Sequence, residues 1–205
     1  QNSGAMVISY EHDRGHLLSR LLCLESVEQG AKDDALTLRK LAELALHTGN
    51  GVGLMSRLRH IPRYTTLLKV LQSYAPRLAL VKASGQTSTL DQIRQWVKDM
   101  LATDVRQLLV VVDYLQKIPV KPDSLEPEME VTTFQAHGLK ELAMSLGVQM
   151  VAIAASDRPG LQAKRMRLAD LRGSSAIQYE ADIGLVLNNK HSIVSREHMV
   201  YNLNQ

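Results

Sequence analysis

Short unbroken apolar runs alternate along this chain with longer stretches in which apolar residues return every three or four positions. The runs are Ala5 to Tyr10, Leu78 to Val81, Leu108 to Val112, Val148 to Ala154 and Ile183 to Leu187. Short apolar runs of this kind read as strands buried in a sheet, and Leu108 to Val112 as a strand buried on both faces. Between them lie helical patterns. Asp13 offers an N-cap for a helix whose Leu17, Leu18, Leu21, Leu22 and Leu24 form a broad apolar face. A second helix is predicted from about Lys32 to His47, broken by Gly49-Asn50-Gly51. The stretch from Met55 to Tyr74 is helical in pattern, but Pro62 argues against a single helix through it. Thr87-Ser-Thr89 followed by Gln92 makes a capping box for a helix lined by Leu90, Ile93, Val97 and Leu101. A proline- and acid-rich loop from Lys117 to Glu130 leads to a helix ending near Leu146, and His198 to Leu203 suggests a final hairpin. Strands alternating with helices predict an α/β fold, a doubly wound and mostly parallel sheet with flanking helices, as one domain over residues 1–205.

Composition narrows this only a little. The chain has 205 residues, 45% of them apolar and 4% aromatic, which suits an aliphatic α/β core. A formal charge of +3 is compatible with an anionic partner without requiring one. Cys23 is the only cysteine, so there is no internal disulfide framework, and a reducing compartment is the simpler expectation. No run approaches the ~18 apolar residues that a membrane span needs. Gln1-Asn2-Ser3-Gly4 does not read as a secretory leader. The expected location is cytoplasmic, with no membrane partner.

Chemistry enters at the ends of the strands. The apolar run Leu108 to Val112 stops abruptly at Asp113, followed by Tyr114, Leu115 and Gln116. Open α/β sheets bind ligands beyond the carboxyl ends of their strands, where nucleotide-hydrolysing proteins place the acid that holds Mg²⁺. A plain turn-capping carboxylate is the alternative. Glu11 follows the first run in the same way. If the two strands are neighbours and parallel, both carboxylates emerge at one edge, where one can hold a metal ion and the other orient a water. His12 and His16 are one helical turn apart, without a third ligand at a telling spacing.

Three segments in order resemble the C-terminal, RecA-like ATPase domain of DnaB-type replicative helicases. They are Ile8-Ser9-Tyr10-Glu11 with the helix carrying Leu18-Ser19-Arg20-Leu21-Leu22, then Val112-Asp113-Tyr114-Leu115-Gln116, and then Asp170-Leu171-Arg172-Gly173-Ser174-Ser175-Ala176-Ile177 leading into Glu180-Ala181-Asp182. Gly138-Leu139-Lys140-Glu141-Leu142-Ala143 fits the helix between the last two, so the likeness is collinear from about Met6 to Leu187. The resemblance implies ATP-dependent DNA unwinding in replication, with ATP and Mg²⁺ as cofactors, single-stranded DNA as partner, a hexameric ring, and a loader or primase as possible further partners. It makes Glu11 the general base for water and Asp113 the Walker B acid acting on Mg²⁺. Arg172, Gly173 and Ser175 become contacts to the DNA backbone, with Lys164, Arg165 and Arg167 able to line the strand. The DNA role has its own physical rationale, since small residues expose backbone N–H groups and an adjacent arginine supplies charge. The alternative for Arg172 is a surface ion pair with Asp170 or Glu180.

The departures point to an incomplete or altered motor. No Gly-x-x-x-x-Gly-Lys-Ser/Thr phosphate loop occurs in the 205 residues. In the family that loop precedes the strand ending in Glu11, and a basic hairpin lies beyond the position of Asn188, so a motor domain incomplete at its N-terminus and also at its C-terminus is expected. The chain alone is then expected to be inactive. Ala155 stands where the family has a glutamine, and His137 where it has an arginine. Those two positions favour the competing reading, a non-catalytic binding or assembly module.

Overall fold

The computed structural model describes residues 2–29, 35–46, 54–120, 128–157, 160, 162, 165–172 and 175–188. The start of the expected helix at Lys32, the break at 49–51, most of the loop after Lys117, the hairpin at 198–203, Lys164 and Gly173 lie outside those residues.

Four of the five apolar runs form strands: β1 (Ser3–Ser9), β2 (Leu78–Lys82), β3 (Gln107–Asp113) and β4 (Gln149–Ala152). They make one sheet in the order β2-β1-β3-β4, with every neighbouring pair parallel. Parallel neighbours need crossovers, and the helical stretches supply them. Helix α1 spans Arg14–Glu28, α2 Leu38–Leu46, α3 Leu54–His60 and α4 Pro62–Tyr74, all between β1 and β2. Helix α5 (Leu90–Leu101) precedes β3, α6 (Glu128–Leu146) precedes β4, and α7 (Ala176–Glu180) follows it.

Local chemistry sets the boundaries. The Asp13 side chain accepts from His16 N at 2.8 Å and caps α1, a bond that holds its carboxyl below the ordinary range. Thr89 caps α5, accepting from Gln92 N. Pro62 sits at the first turn of α4, where its missing N–H has no helical acceptor to lose, so the helix restarts there instead of running through. Gly147 adopts φ 64° just after α6, and Val148 N donates back to Ala143 O, a glycine stop that spares a side chain the left-handed region.

Two apolar clusters hold these elements. Met6, Ile8, Leu108, Val110 and Val112 present one face of the sheet to Ile93 and Val97 of α5 and to Ala136, Leu139 and Leu142 of α6. Each buried Val, Leu or Ile contributes roughly 1.5–3 kcal/mol on transfer from water. The second cluster joins helices α1 to α4 through Leu22, Leu36, Leu41, Leu58, Leu67 and Leu68. Tyr74 OH donates to Glu25 Oε1 at 2.7 Å beside it, and burial pushes the Tyr74 hydroxyl above its usual value.

Two expectations change. Strand β3 is buried on one face only: Leu108, Val110 and Val112 are fully enclosed, while Leu109 is 40% exposed, and Val151, beside Val111 on β4, is 47% exposed. An apolar run can be read as two-sided because its residue types do not say which face a helix covers. The expected strand at 183–187 is absent: those residues have no regular structure, and Leu185 is 86% exposed. A strand needs a neighbour's ladder, and among the described residues no strand pairs with 183–187. No helix among the described residues is long and apolar enough to cross a membrane.

Candidate functional site

The register of β1 against β3 pairs Ser9 with Asp113, so both strands end at the same edge. Ser9 is fully buried and its hydroxyl ties the two ends together. It donates to Asp113 Oδ2 at 3.1 Å and accepts from His12 N at 3.0 Å and Glu11 N at 3.3 Å. Tyr10 N adds a bond to Asp113 O at 2.7 Å. The turn carrying Glu11 is therefore fastened to the end of β3, and Glu11 itself faces solvent. The Asp113–Tyr114 peptide is cis.

Ser9 ties the ends of β1 and β3 together, a role that the sequence pattern did not assign to it. A lone hydroxyl at the end of an apolar strand, two residues ahead of an acid, was the available signal. Ser9→Ala removes an acceptor from two backbone N–H groups and a donor from Asp113 in a dry position. The expected cost is about 1–3 kcal/mol. At this chain length that lowers the melting temperature by roughly 2–4 °C per kcal/mol, which thermal denaturation followed by circular dichroism measures.

After Asp113 the chain turns under the end of β4. Leu115 N donates to Ile153 O at 2.9 Å, and the Leu115 side chain plugs the core. Gln116, next in the turn, reaches across: its Oε1 accepts from Ala155 N at 3.1 Å, and its Nε2 donates to Arg172 O at 3.0 Å and Ala155 O at 3.3 Å. Arg172 N donates to Ala155 O at 2.9 Å, and Ser156 pairs with Leu171 in an antiparallel bridge. The segment carrying Arg172 is thus laced to the same edge of the sheet as Asp113.

Of the residues expected at a site, Glu11, Asp113 and Arg172 come to this edge. Ser175 is exposed just ahead of α7, and Arg165 and Arg167 are exposed along 165–167, where Met166 pairs through its backbone with the Asn188 side chain. Glu180 Oε1 meets His137 Nδ1 at 2.7 Å, and Asp170 Oδ2 accepts from Arg167 N at 2.7 Å. Lys140 bonds both oxygens of Asp182, and this ammonium holds the Asp182 carboxyl below the usual range. A lowered value in the folded state means that this tie survives mild acid and is lost as pH falls through that value.

No group of three or more His, Cys, Asp or Glu among the described residues is arranged to hold a metal ion. Asp113 offers one partly exposed carboxylate, with Oδ2 engaged by Ser9. That donor set suits Mg²⁺, which takes one or two carboxylates and fills its remaining positions with phosphate oxygens and water.

A family model described as the DnaB-like helicase C-terminal domain matches residues 1–202. The chain belongs to that family. Its curated relatives include the replicative DNA helicases DnaB of Treponema pallidum (strain Nichols), 35% identical over 80 residues, and of Mycobacterium leprae (strain TN), 38% identical over 82 residues. Each alignment takes in 39% of this chain, and 18% and 13% respectively of those relatives' own length. Among solved structures, an ATPase domain superposes with a TM-score of 0.71 at 16% identity, covering 92% of this chain and 60% of that one. A DnaB-like replicative helicase, described with its interactions with primase, superposes with a TM-score of 0.63 at 17% identity, covering 88% of this chain and 39% of that one. These likenesses establish the fold of the DnaB-like domain as a RecA-like parallel sheet flanked by helices.

Proposed function

We propose that this DnaB-like domain serves ATP-driven unwinding of DNA in replication, with nucleotide held at the carboxyl edge of β1 and β3 and single-stranded DNA along the Arg172 segment. The observation that carries this reading is the fastening of Glu11, Asp113 and Arg172 to one sheet edge by the Ser9 and Gln116 side chains. Phosphoanhydride hydrolysis is mainly positioning and charge neutralisation, which a rigid edge provides. Asp113 would hold Mg²⁺, which would neutralise charge on the phosphate oxygens. Glu11, exposed beside it, orients a water and takes its proton. Ser9 keeps the Asp113 carboxylate aimed and the Glu11 turn at a fixed height.

The cradle for the β- and γ-phosphates is not among these 205 residues, which contain no Gly-x-x-x-x-Gly-Lys-Ser/Thr. In this reading the isolated 205 residues hydrolyse ATP poorly, and the working assembly is a cytoplasmic homo-oligomeric ring, with a loader or primase as partner.

Arg172, Ser175, Arg165 and Arg167 form the proposed DNA surface, with Lys164 and Gly173 assigned to it from sequence. Arg172→Ala in the full-length protein is expected to weaken single-stranded DNA binding and to make the salt slope shallower by about 0.7, the value of one lost phosphate contact on a single strand. Fluorescence anisotropy titrations between 50 and 200 mM salt, a range of the order used for such slopes, measure it; an unchanged slope removes Arg172 from the DNA surface.

Ala155 and His137 favour a second reading, an assembly module that binds without hydrolysis. ATP turnover by the full-length protein decides between the two.

A further inference from the structure

We propose that Gln116 is the positioning residue that holds the Arg172 segment in register for DNA, a role that rests on the DNA-binding reading above. Three stretches of backbone meet at its amide: the turn after β3, the stretch past β4 at Ala155, and the segment bearing Arg172. The base of the side chain is fixed before it reaches across. Leu115 is buried and bonded to Ile153 O, and Lys117 N donates to Tyr114 O at 3.0 Å. Gln116 therefore projects from a rigid turn three residues past Asp113, and what it holds is the loop bearing Arg172.

The side-chain type is specified by this geometry. One head must accept from Ala155 N and donate to both Ala155 O and Arg172 O, and among side chains an amide carries two donor hydrogens beside an acceptor oxygen. Glutamate keeps the acceptor and loses both donors, asparagine is one methylene short, and an apolar residue leaves a partly buried N–H and two carbonyls with fewer partners. Upstream of Arg172, Ser156 Oγ donates to Asp170 O at 2.7 Å, and Asp157 N donates to the same oxygen at 3.3 Å. At Arg172 itself the Gln116 amide and Ala155 O both hold the main chain. A guanidinium on an ordered backbone loses less freedom on meeting a phosphate, so loosening this anchor weakens the contact without removing the charge.

The test compares full-length wild type, Gln116→Ala, Gln116→Glu, Arg172→Ala and the Gln116→Ala/Arg172→Ala double variant. Binding of fluorescent oligo(dT) and amide hydrogen exchange are measured on each. Losing one or two ordinary hydrogen bonds is expected to weaken oligo(dT) binding about threefold to tenfold in Gln116→Ala, and Gln116→Glu behaves alike. The double variant binds no more weakly than Arg172→Ala, because Gln116 acts through Arg172. Exchange at the Ala155 and Arg172 amides speeds up in Gln116→Ala, while Val110 and Val112 stay protected as in wild type. Additive losses in the double variant, or wild-type affinity and exchange in Gln116→Ala, overturn the proposal. Equal binding by wild type and Arg172→Ala sinks the DNA reading instead; faster Arg172 exchange in Gln116→Ala then still upholds the positioning, and unchanged exchange sinks that as well.

Discussion

Asp113→Asn in the full-length protein is expected to lower ATP hydrolysis at least about a hundredfold. A metal ion at a reacting phosphate supplies several kcal/mol of charge stabilisation, and each 1.4 kcal/mol is a factor of about ten in rate. Asparagine keeps the shape and an oxygen acceptor for Ser9, so the edge stays assembled and only the charge is lost. The half-maximal Mg²⁺ concentration for hydrolysis should therefore rise in this variant. A magnesium titration of steady-state turnover reads both effects. Chelating the Mg²⁺ should bring wild type down to the level of the variant. A normal rate at normal Mg²⁺ removes Asp113 from the metal.

Glu11→Gln is expected to cost about 10²- to 10⁴-fold in turnover, the usual worth of a positioned general base. Its signature differs from that of Asp113→Asn. The Glu11 backbone is fastened through Ser9, so the substitution leaves the turn in place and the Mg²⁺ dependence unchanged. Nucleotide affinity is retained while turnover collapses, which equilibrium binding of a fluorescent ATP analogue beside a phosphate-release assay separates. A parallel loss of binding and turnover shows that Glu11 holds nucleotide and leaves the proton to another group.

Much of the fold was legible because its determinants are local. Asp13 and Thr89 as caps, Pro62 as a restart and Gly147 as a stop each act within a few residues. The adjacency of β1 and β3 was stated only as a condition, since strand order depends on contacts between residues about a hundred positions apart, and the register Ser9↔Asp113 supplies it. The run at 183–187 looked like a strand because composition records propensity and not the presence of a neighbour. The one-sided burial of β3 escaped for the same reason: Leu109 and Val110 are alike as residues and differ in what covers them.

At the candidate site the charged residues were readable and the uncharged ones were not. Glu11 and Asp113 stand out by type at the ends of apolar runs, and Arg172 by its charge beside a glycine and two serines. Ser9 and Gln116 do their work through hydrogen bonds to segments 104 and 39–56 positions away, and a local window shows at most a lone hydroxyl or amide after an apolar run, not the partner it reaches. Ala155 shows the reverse case. It was noted for the glutamine it replaces, and in the fold its backbone N–H and C=O bond the Gln116 amide.

The central claim is that the edge shared by β1 and β3 hydrolyses ATP with Mg²⁺. Its most direct test is the phosphate-release rate of the full-length protein, with Mg²⁺ and single-stranded DNA present, for wild type, Glu11→Gln, Asp113→Asn and the double variant. Residues that act as one unit give non-additive losses, so the account expects wild-type turnover, both single variants reduced at least about a hundredfold, and a double variant little worse than the weaker single. Turnover near the wild-type rate in the double variant contradicts it.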